Sequence, residues 1–208
     1  MLEVKNIVTE IETQEGTIKA VDDLTLSIAP REIYALVGES GCGKSMTALS
    51  LLRLLPETGL VSSGVVTVDG TEIMGLPESM MRRIRASKIS LIFQEPGLSL
   101  NPVMTIGDQI LETIYLHTSL RGQSAKNKVL DWLNKVGISE PEKRIDMFPH
   151  EISGGQRQRA MIALALAAEP GFLIADEPTT ALDVTIQAQI LNPVSYTHLR
   201  AHETSQDL

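Results

Sequence analysis

The first third of the chain alternates short β-prone runs with turns. LEVKNIVTEI, TIKAVDDLTLSI, REIYALVG and SGVVTVDGTEI are rich in Val, Ile and Thr and bounded by Gly, Pro and Asp, which predicts strands. IYALV is apolar at every position, the pattern of a strand buried on both faces. MTALSLLRLL follows it and predicts a helix ending before Pro56. PESMMRRIRASK predicts a basic helix, and KISLIFQ a second buried strand. From about Pro96 to His150 the period turns helical. Thr105 and Asp108 stand at capping-box spacing ahead of a stripe made by Ile106, Ile110 and Ile114. Ser124 is a candidate cap for a further helix that carries Val129, Leu133 and Val136 and stops at Gly137. Trp132, the one tryptophan, reads as core packing. Strand character returns at GFLIADEP. The pattern predicts an α/β core with a β-rich N-terminal part and a helical insertion over about 96–160.

Composition narrows the class. At 208 residues the chain is long enough to bury a substantial core. A net charge of -8 argues against a nucleic-acid-binding face. One cysteine excludes a disulfide framework and fits a reducing cytosol. MLEVKNIVTE lacks the basic and apolar regions of a secretory signal. The longest apolar run, Ala160–Ala168, is less than half of the about 20 residues a membrane span requires. Any link to a membrane is therefore expected to pass through a partner.

Three stretches carry candidate chemistry. GESGCGKS, that is Gly38, Glu39, Ser40, Gly41, Cys42, Gly43, Lys44 and Ser45, satisfies G-x-x-x-x-G-K-[ST], with a predicted strand before and a helix after. Glycines let backbone N–H groups wrap phosphates, and the helix start adds a favourable field. Lys44 is placed to reach the β- and γ-phosphates, and the Ser45 hydroxyl to bind Mg²⁺. Cys42 occupies a variable loop position with no activating partner in view. FLIADEP delivers Asp176 and Glu177 at the end of an apolar strand, the edge where parallel α/β sheets bind ligands. One carboxylate can hold the Mg²⁺ shell while the next activates water. In HEISGGQRQRAMIALALA, Ser153, Gly154, Gly155 and Gln156 open a helix with a hydroxyl and free backbone N–H groups. That is a second anion site, and one nucleotide cannot use both helix starts of one chain.

These residues resemble the ATP-binding subunits of ABC transporters, over roughly residues 2–191. SGGQ is similar to the family signature, Gln94 in IFQEP to its Q-loop glutamine, and Ala181-Leu182-Asp183 to its D-loop. FQEPGLSLNP, FPHEISGGQRQR and ADEPTTALDVTIQAQIL resemble the dipeptide, oligopeptide and nickel importer branch. The resemblance implies a P-loop NTPase core of ABC ATPase type, with an antiparallel N-terminal β subdomain and a helical insertion. It implies ATP sandwiched between the P-loop of one subunit and the Ser153–Gln156 turn of another, with Asp183 nearby. Gln94 and Asp176 would complete the Mg²⁺ environment, and Glu177 would be the general base. Implied partners are a second ATPase subunit, membrane permease subunits and, indirectly, an extracytoplasmic substrate-binding protein, at the cytoplasmic face of the membrane. No nucleic-acid partner is expected. His150 is expected to be structural, and Arg82, Arg83, Arg85 and Lys88 to form a solvated helix face.

Two features depart from that family. Ile11 stands where an aromatic residue usually stacks on the base. After Asp183, the family has a helix, a connection and an apolar strand ending in a switch histidine. Pro193 interrupts the helix begun by TIQAQIL, and His198 and His202 arrive too early or in the wrong surroundings. SYTHLRAHETS resembles translated sequencing adapter. The expectation is an ATP-binding domain over 1–192, C-terminally truncated and deficient in hydrolysis, with a foreign, disordered tail over 193–208. The alternatives are a soluble ABC ATPase of DNA repair or translation, and a non-hydrolysing ATP-binding fragment. A P-loop kinase has no use for SGGQ.

Overall fold

The computed structural model describes residues 1–39 and 41–176. The expectations attached to Ser40, Glu177, Asp183, Pro193, His198, His202 and the 193–208 tail lie outside the described residues. In chain order the elements are β1 (Leu2–Thr13), β2 (Gly16–Ile28), α1 (Lys44–Leu52), β3 (Gly59–Val68), β4 (Thr71–Glu72), α2 (Glu78–Ile84) and β5 (Ile89–Ile92). Then follow α3 (Pro96–Ser99), α4 (Ile106–His117), α5 (Gly122–Lys135), α6 (Pro141–Arg144), a 3₁₀ turn (Pro149–Glu151), α7 (Gly154–Leu166) and β6 (Phe172–Ala175).

Alternation of apolar and polar residues in β1 to β3 builds an antiparallel sheet of order β2-β1-β3-β4. Its inner face, with Leu2, Val4, Ile7, Val66 and Val68, packs against Ala48, Leu51 and Leu52 of α1, Met81 of α2 and Ile89 of β5. The second core is helical. Ile106, Ile110 and Ile114 of α4 are each at most 1% exposed, so the predicted stripe faces inward onto Val129 and Leu133 of α5 and Met161 and Ile162 of α7. Trp132 is buried there, as expected. Phe93 packs against both cores, which places the next residue, Gln94, at their junction.

Four local expectations need correction. Ile33–Val37 is not a buried strand: it carries no strand assignment, and Ile33 and Val37 are 69% and 90% exposed. An apolar run becomes a central strand only where neighbours offer a ladder on both sides, and none does so among the described residues. β6 likewise has one ladder partner among the described residues, β5; Phe172, Leu173 and Ile174 are half-buried and Ala175 is exposed. Helix α5 begins at Gly122, two residues before Ser124, whose hydroxyl donates back to Arg121 O. Helix α1 stops at Leu52, with Arg53 left-handed (φ +53) at its C-cap.

Candidate functional site

The loop entering α1 is shaped by two glycines in left-handed backbone, Gly41 (φ +83) and Gly43 (φ +93). Gly43 is constrained twice, because a Cβ there would sit 2.2 Å from Ala20 O on β2. Its carbonyl accepts from Thr47 N at 2.8 Å and Thr47 Oγ1 at 3.0 Å, which starts the helix. Lys44 Nζ donates to Gly38 O (2.9 Å) and Glu39 O (2.7 Å), so its ammonium lies back over the loop. Cys42 is exposed, and its Sγ stands 3.8 Å from that ammonium. Ser45 is half-buried in the first turn, which holds no acidic residue. The ammonium thus rests on the loop's own carbonyls, while the start of α1 supplies a helix dipole that favours an anion.

The helix behind this loop is held at its far end. Thr9 on β1 bonds Ser50 at 2.7 Å in a buried contact. Arg85 donates from Nε to Leu52 O (2.8 Å) and from Nη2 to Arg53 O (3.1 Å), while Nη1 pairs with Glu78 at 2.5 Å. Arg53 in turn donates to Ile73 O and Leu76 O. A guanidinium at the carbonyl end of α1 satisfies orphan acceptors and suits the dipole. The expectation of a solvated basic face therefore fails for Arg85, whose side chain is only 19% exposed. Arg82 and Lys88 make half-exposed ion pairs with Glu78 and Asp69. Arg85 also holds the Glu78 carboxyl below the usual carboxylate range, chiefly through their hydrogen bond.

Strands β5 and β6 run parallel, pairing Ile89 with Phe172 and Ile92 with Ala175. Asp176 N continues the ladder by donating to Ile92 O at 3.0 Å. Gln94 and Asp176 therefore leave adjacent strands at the same carboxyl edge, although 82 positions (176 minus 94) separate them in the chain. Gln94 is exposed and Asp176 half-buried. Among the described residues no group of three or more His, Cys, Asp or Glu side chains converges as a metal cage.

The third element is the start of α7. Ser153 caps it: its Oγ accepts from Gln156 N at 3.3 Å, while Gln156 Oε1 accepts from Ser153 N at 3.2 Å. Ser153, Gly154 and Gly155 are exposed. A Cβ on either glycine would meet nothing within 4 Å, and neither has a positive φ. Nothing among the described residues demands glycine at these positions. Behind the turn, Arg159 donates to Gly137 O at 2.6 Å, tying α7 to the carbonyl end of α5.

Ile11 is half-buried and pairs across the sheet with Ile18 and Gly59. His150 stacks on Phe148 with ring centroids 5.6 Å apart, in keeping with a structural role. Reasoning from the sequence missed the Arg85 clamp and the buried Gln109. The available signal for Gln109 was a polar residue set beside the Ile106 and Ile110 stripe.

An ATP-binding cassette is what this sheet, helical region and pair of open helix starts define. Residues 21–180 match the model of the ABC transporter family, and the chain belongs to that family. It is 47% identical over 191 residues to the oligopeptide transport ATP-binding protein OppD of Escherichia coli (strain K12), covering 92% of this chain and 56% of that protein. It is 51% identical over 192 residues to the peptidoglycan transport ATP-binding protein YejF of Agrobacterium fabrum (strain C58), covering 92% of this chain and 35% of that protein. The chain thus spans about half the length, or less, of these curated relatives. Among solved structures, the ATP-binding cassette MJ0796, a dimer in a post-hydrolysis state bound to ADP and Pi, is similar with a TM-score of 0.82 at 28% identity. That match covers 92% of this chain and 80% of MJ0796.

Proposed function

We propose that this chain is the nucleotide-binding part of an importer, which binds ATP as one half of a dimer of the kind whose ATP hydrolysis drives uptake of peptides. The observation that carries this reading is the turn at Ser153–Gln156. Two exposed glycines that no described neighbour requires to be glycine, at a positive helix end, suit the close approach of a phosphate held by another subunit. The names of the relatives, oligopeptide and peptidoglycan transport, support solutes of the peptide class.

In this reading Gly38, Glu39, Ser40, Gly41, Cys42, Gly43, Lys44 and Ser45 wrap the triphosphate, and Lys44 exchanges its two carbonyl contacts for phosphate oxygens. Ser45, Gln94 and Asp176 offer oxygen donors, which suit Mg²⁺ better than a softer metal. When bound, Mg²⁺ would neutralise phosphate charge; these three side chains would hold it, Asp176 through water. Glu177, next in the chain, is the general base, and Asp183 is the D-loop residue assigned to the same nucleotide. Phosphoryl transfer depends mainly on positioning and charge, so closure of the dimer completes the site. Membrane permease subunits and, through them, a substrate-binding protein are the partners. In this reading the chain works as a peripheral subunit held at the cytoplasmic face by its permease partners; no described helix is long and apolar enough to cross a membrane.

The test is sedimentation of the Glu177→Gln chain with and without ATP. ATP should convert it to a dimer, and Ser153→Arg should abolish dimer formation while leaving monomer affinity for ATP unchanged. A Glu177→Gln chain that binds ATP and stays monomeric would refute the proposal.

A further inference from the structure

Gln109 is 6% exposed, and its whole side-chain amide is engaged. Oε1 accepts from Asn101 N at 2.9 Å, and Nε2 faces Asn101 O (3.0 Å), Met104 O (3.1 Å) and Thr105 O (3.3 Å). One residue thus takes both backbone groups of Asn101 and gathers the carbonyls of the loop around them. Asn101 Oδ1 adds a bond to Val103 N at 3.1 Å inside the same loop. This loop follows Gln94 and α3 and presents Val103, 79% exposed, at its tip.

The same helix end holds a second segment. The first-turn amides of α4 need outside acceptors. Ile106 N finds Met147 O and Gly107 N finds Ile145 O, both at 2.8 Å. A Cβ on Gly107 would lie 2.2 Å from Ile145 Cγ1 and 2.7 Å from Ile145 O, so this backbone contact requires glycine. From Met147 the chain runs through Phe148, whose N donates to Glu151 Oε2 at 2.8 Å, and buried Ile152 to Ser153. The start of α4 is therefore the common anchor of the loop after Gln94 and of the segment leading into the Ser153 turn.

We propose that Gln109 is a positioning residue, whose buried amide fixes the Asn101–Thr105 loop to the helix end that also sets the place of Ser153. This rests on the proposed use of Gln94 and Ser153, and it adds the joint between them. Gln109 touches neither nucleotide nor metal; it acts by making the two segments move as one.

Two variants test this in the full chain. Gln109→Leu keeps the size and removes every hydrogen bond. Gln109→Glu keeps the acceptor for Asn101 N but, when ionised, sets a charge among carbonyls; once protonated it regains one donor. Monomer affinity for ATP, set by the P-loop in the other core, should stay within about 2-fold in both, while the ATP-driven dimer constant weakens by about 10-fold in Gln109→Leu. Gln109→Glu should be equally impaired at pH 8 and should recover toward wild type as the pH falls to about 6, because burial raises a carboxyl pKa. Amide hydrogen exchange over 145–153, measured without nucleotide, should also accelerate by about 10-fold in Gln109→Leu. Unchanged exchange over 145–153 together with an unchanged dimer constant would overturn the inference. A wild-type chain that never dimerises would instead count against the proposed function, and exchange alone would then decide the role of Gln109. If Gln109→Leu does not fold, the pH profile of Gln109→Glu decides, and a flat profile overturns the inference.

Discussion

Replacing Gly155 by alanine separates what the glycine does for this chain from what it does for a second molecule. Gly155 lies in the first turn of α7, its φ is not positive, and a Cβ built on it meets no atom within 4 Å. The folded chain therefore accepts the methyl without strain. The unfolded chain loses backbone freedom, which stabilises the protein by about 0.4–1 kcal/mol. Alanine's better helix propensity acts in the same direction, though less at a first-turn position than in a helix interior. For a domain of this size, the melting temperature should rise by roughly 1–4 °C. Function should move the opposite way. If a phosphate approaches the N–H groups of Gly154 and Gly155, the methyl holds it off and weakens the hydrogen bonds, and one such loss weakens dimer formation by about 10-fold. The assay pairs a thermal melt with ATP-driven dimerisation of the same preparation. A lower melting temperature would show that the glycine serves the chain's own packing. A higher melting temperature with unimpaired dimerisation would show that nothing approaches the turn. Either result would refute the reasoning.

Gly43→Ala should behave differently, because both the φ of +93 and the 2.2 Å approach to Ala20 O oppose a Cβ. Strain of about 1–2 kcal/mol, relieved only by shifting the loop off β2, should lower the melting temperature and weaken ATP binding by at least about 10-fold, measured by nucleotide titration. Arg85→Leu leaves Leu52 O and Arg53 O without their cation, a loss of about 1–3 kcal/mol if water does not replace it. It should also alter the acid limb of stability. The folded-state pKa of Glu78 is lowered, so its contribution is present above the ordinary carboxylate range and is lost as the pH falls through the lowered value. Denaturant titrations from neutral pH down through that range should show a shallower acid loss in Arg85→Leu than in wild type, and parallel curves would contradict the assignment.

Features that one short stretch can specify were legible in the sequence. Gly41, Gly43 and Lys44 shape their loop and helix start within five residues, and Ser153 and Gln156 close their capping box within four. The Thr105 cap and the Ile106, Ile110 and Ile114 stripe follow from the 3.6-residue period and appear where it places them. Arg85 was misread because its acceptors, Leu52 O and Arg53 O, lie more than thirty positions earlier in the chain. A basic run looks the same whether its side chains meet water or the carbonyl end of another helix. The two local parts of the site also needed the fold to give them a shared address: only the β5 and β6 ladder brings Gln94 beside Asp176.

IYALV shows the opposite failure, a strong local pattern that no described strand takes up. Five apolar residues state that the segment avoids water; they do not state which strand will pair with it. β6 has the same character and obtains one partner, whereas Ile33–Val37 obtains none among the described residues. The consequence reaches the site, because Val37 is the residue before Gly38. A phosphate loop is rigid only as far as both of its flanks are fixed. Here the flank after the loop is held by Thr9, Arg85 and the buried face of α1, while the flank before it is exposed. Preorganisation of this loop by the described residues is therefore one-sided, fixed by packing behind the loop and not before it.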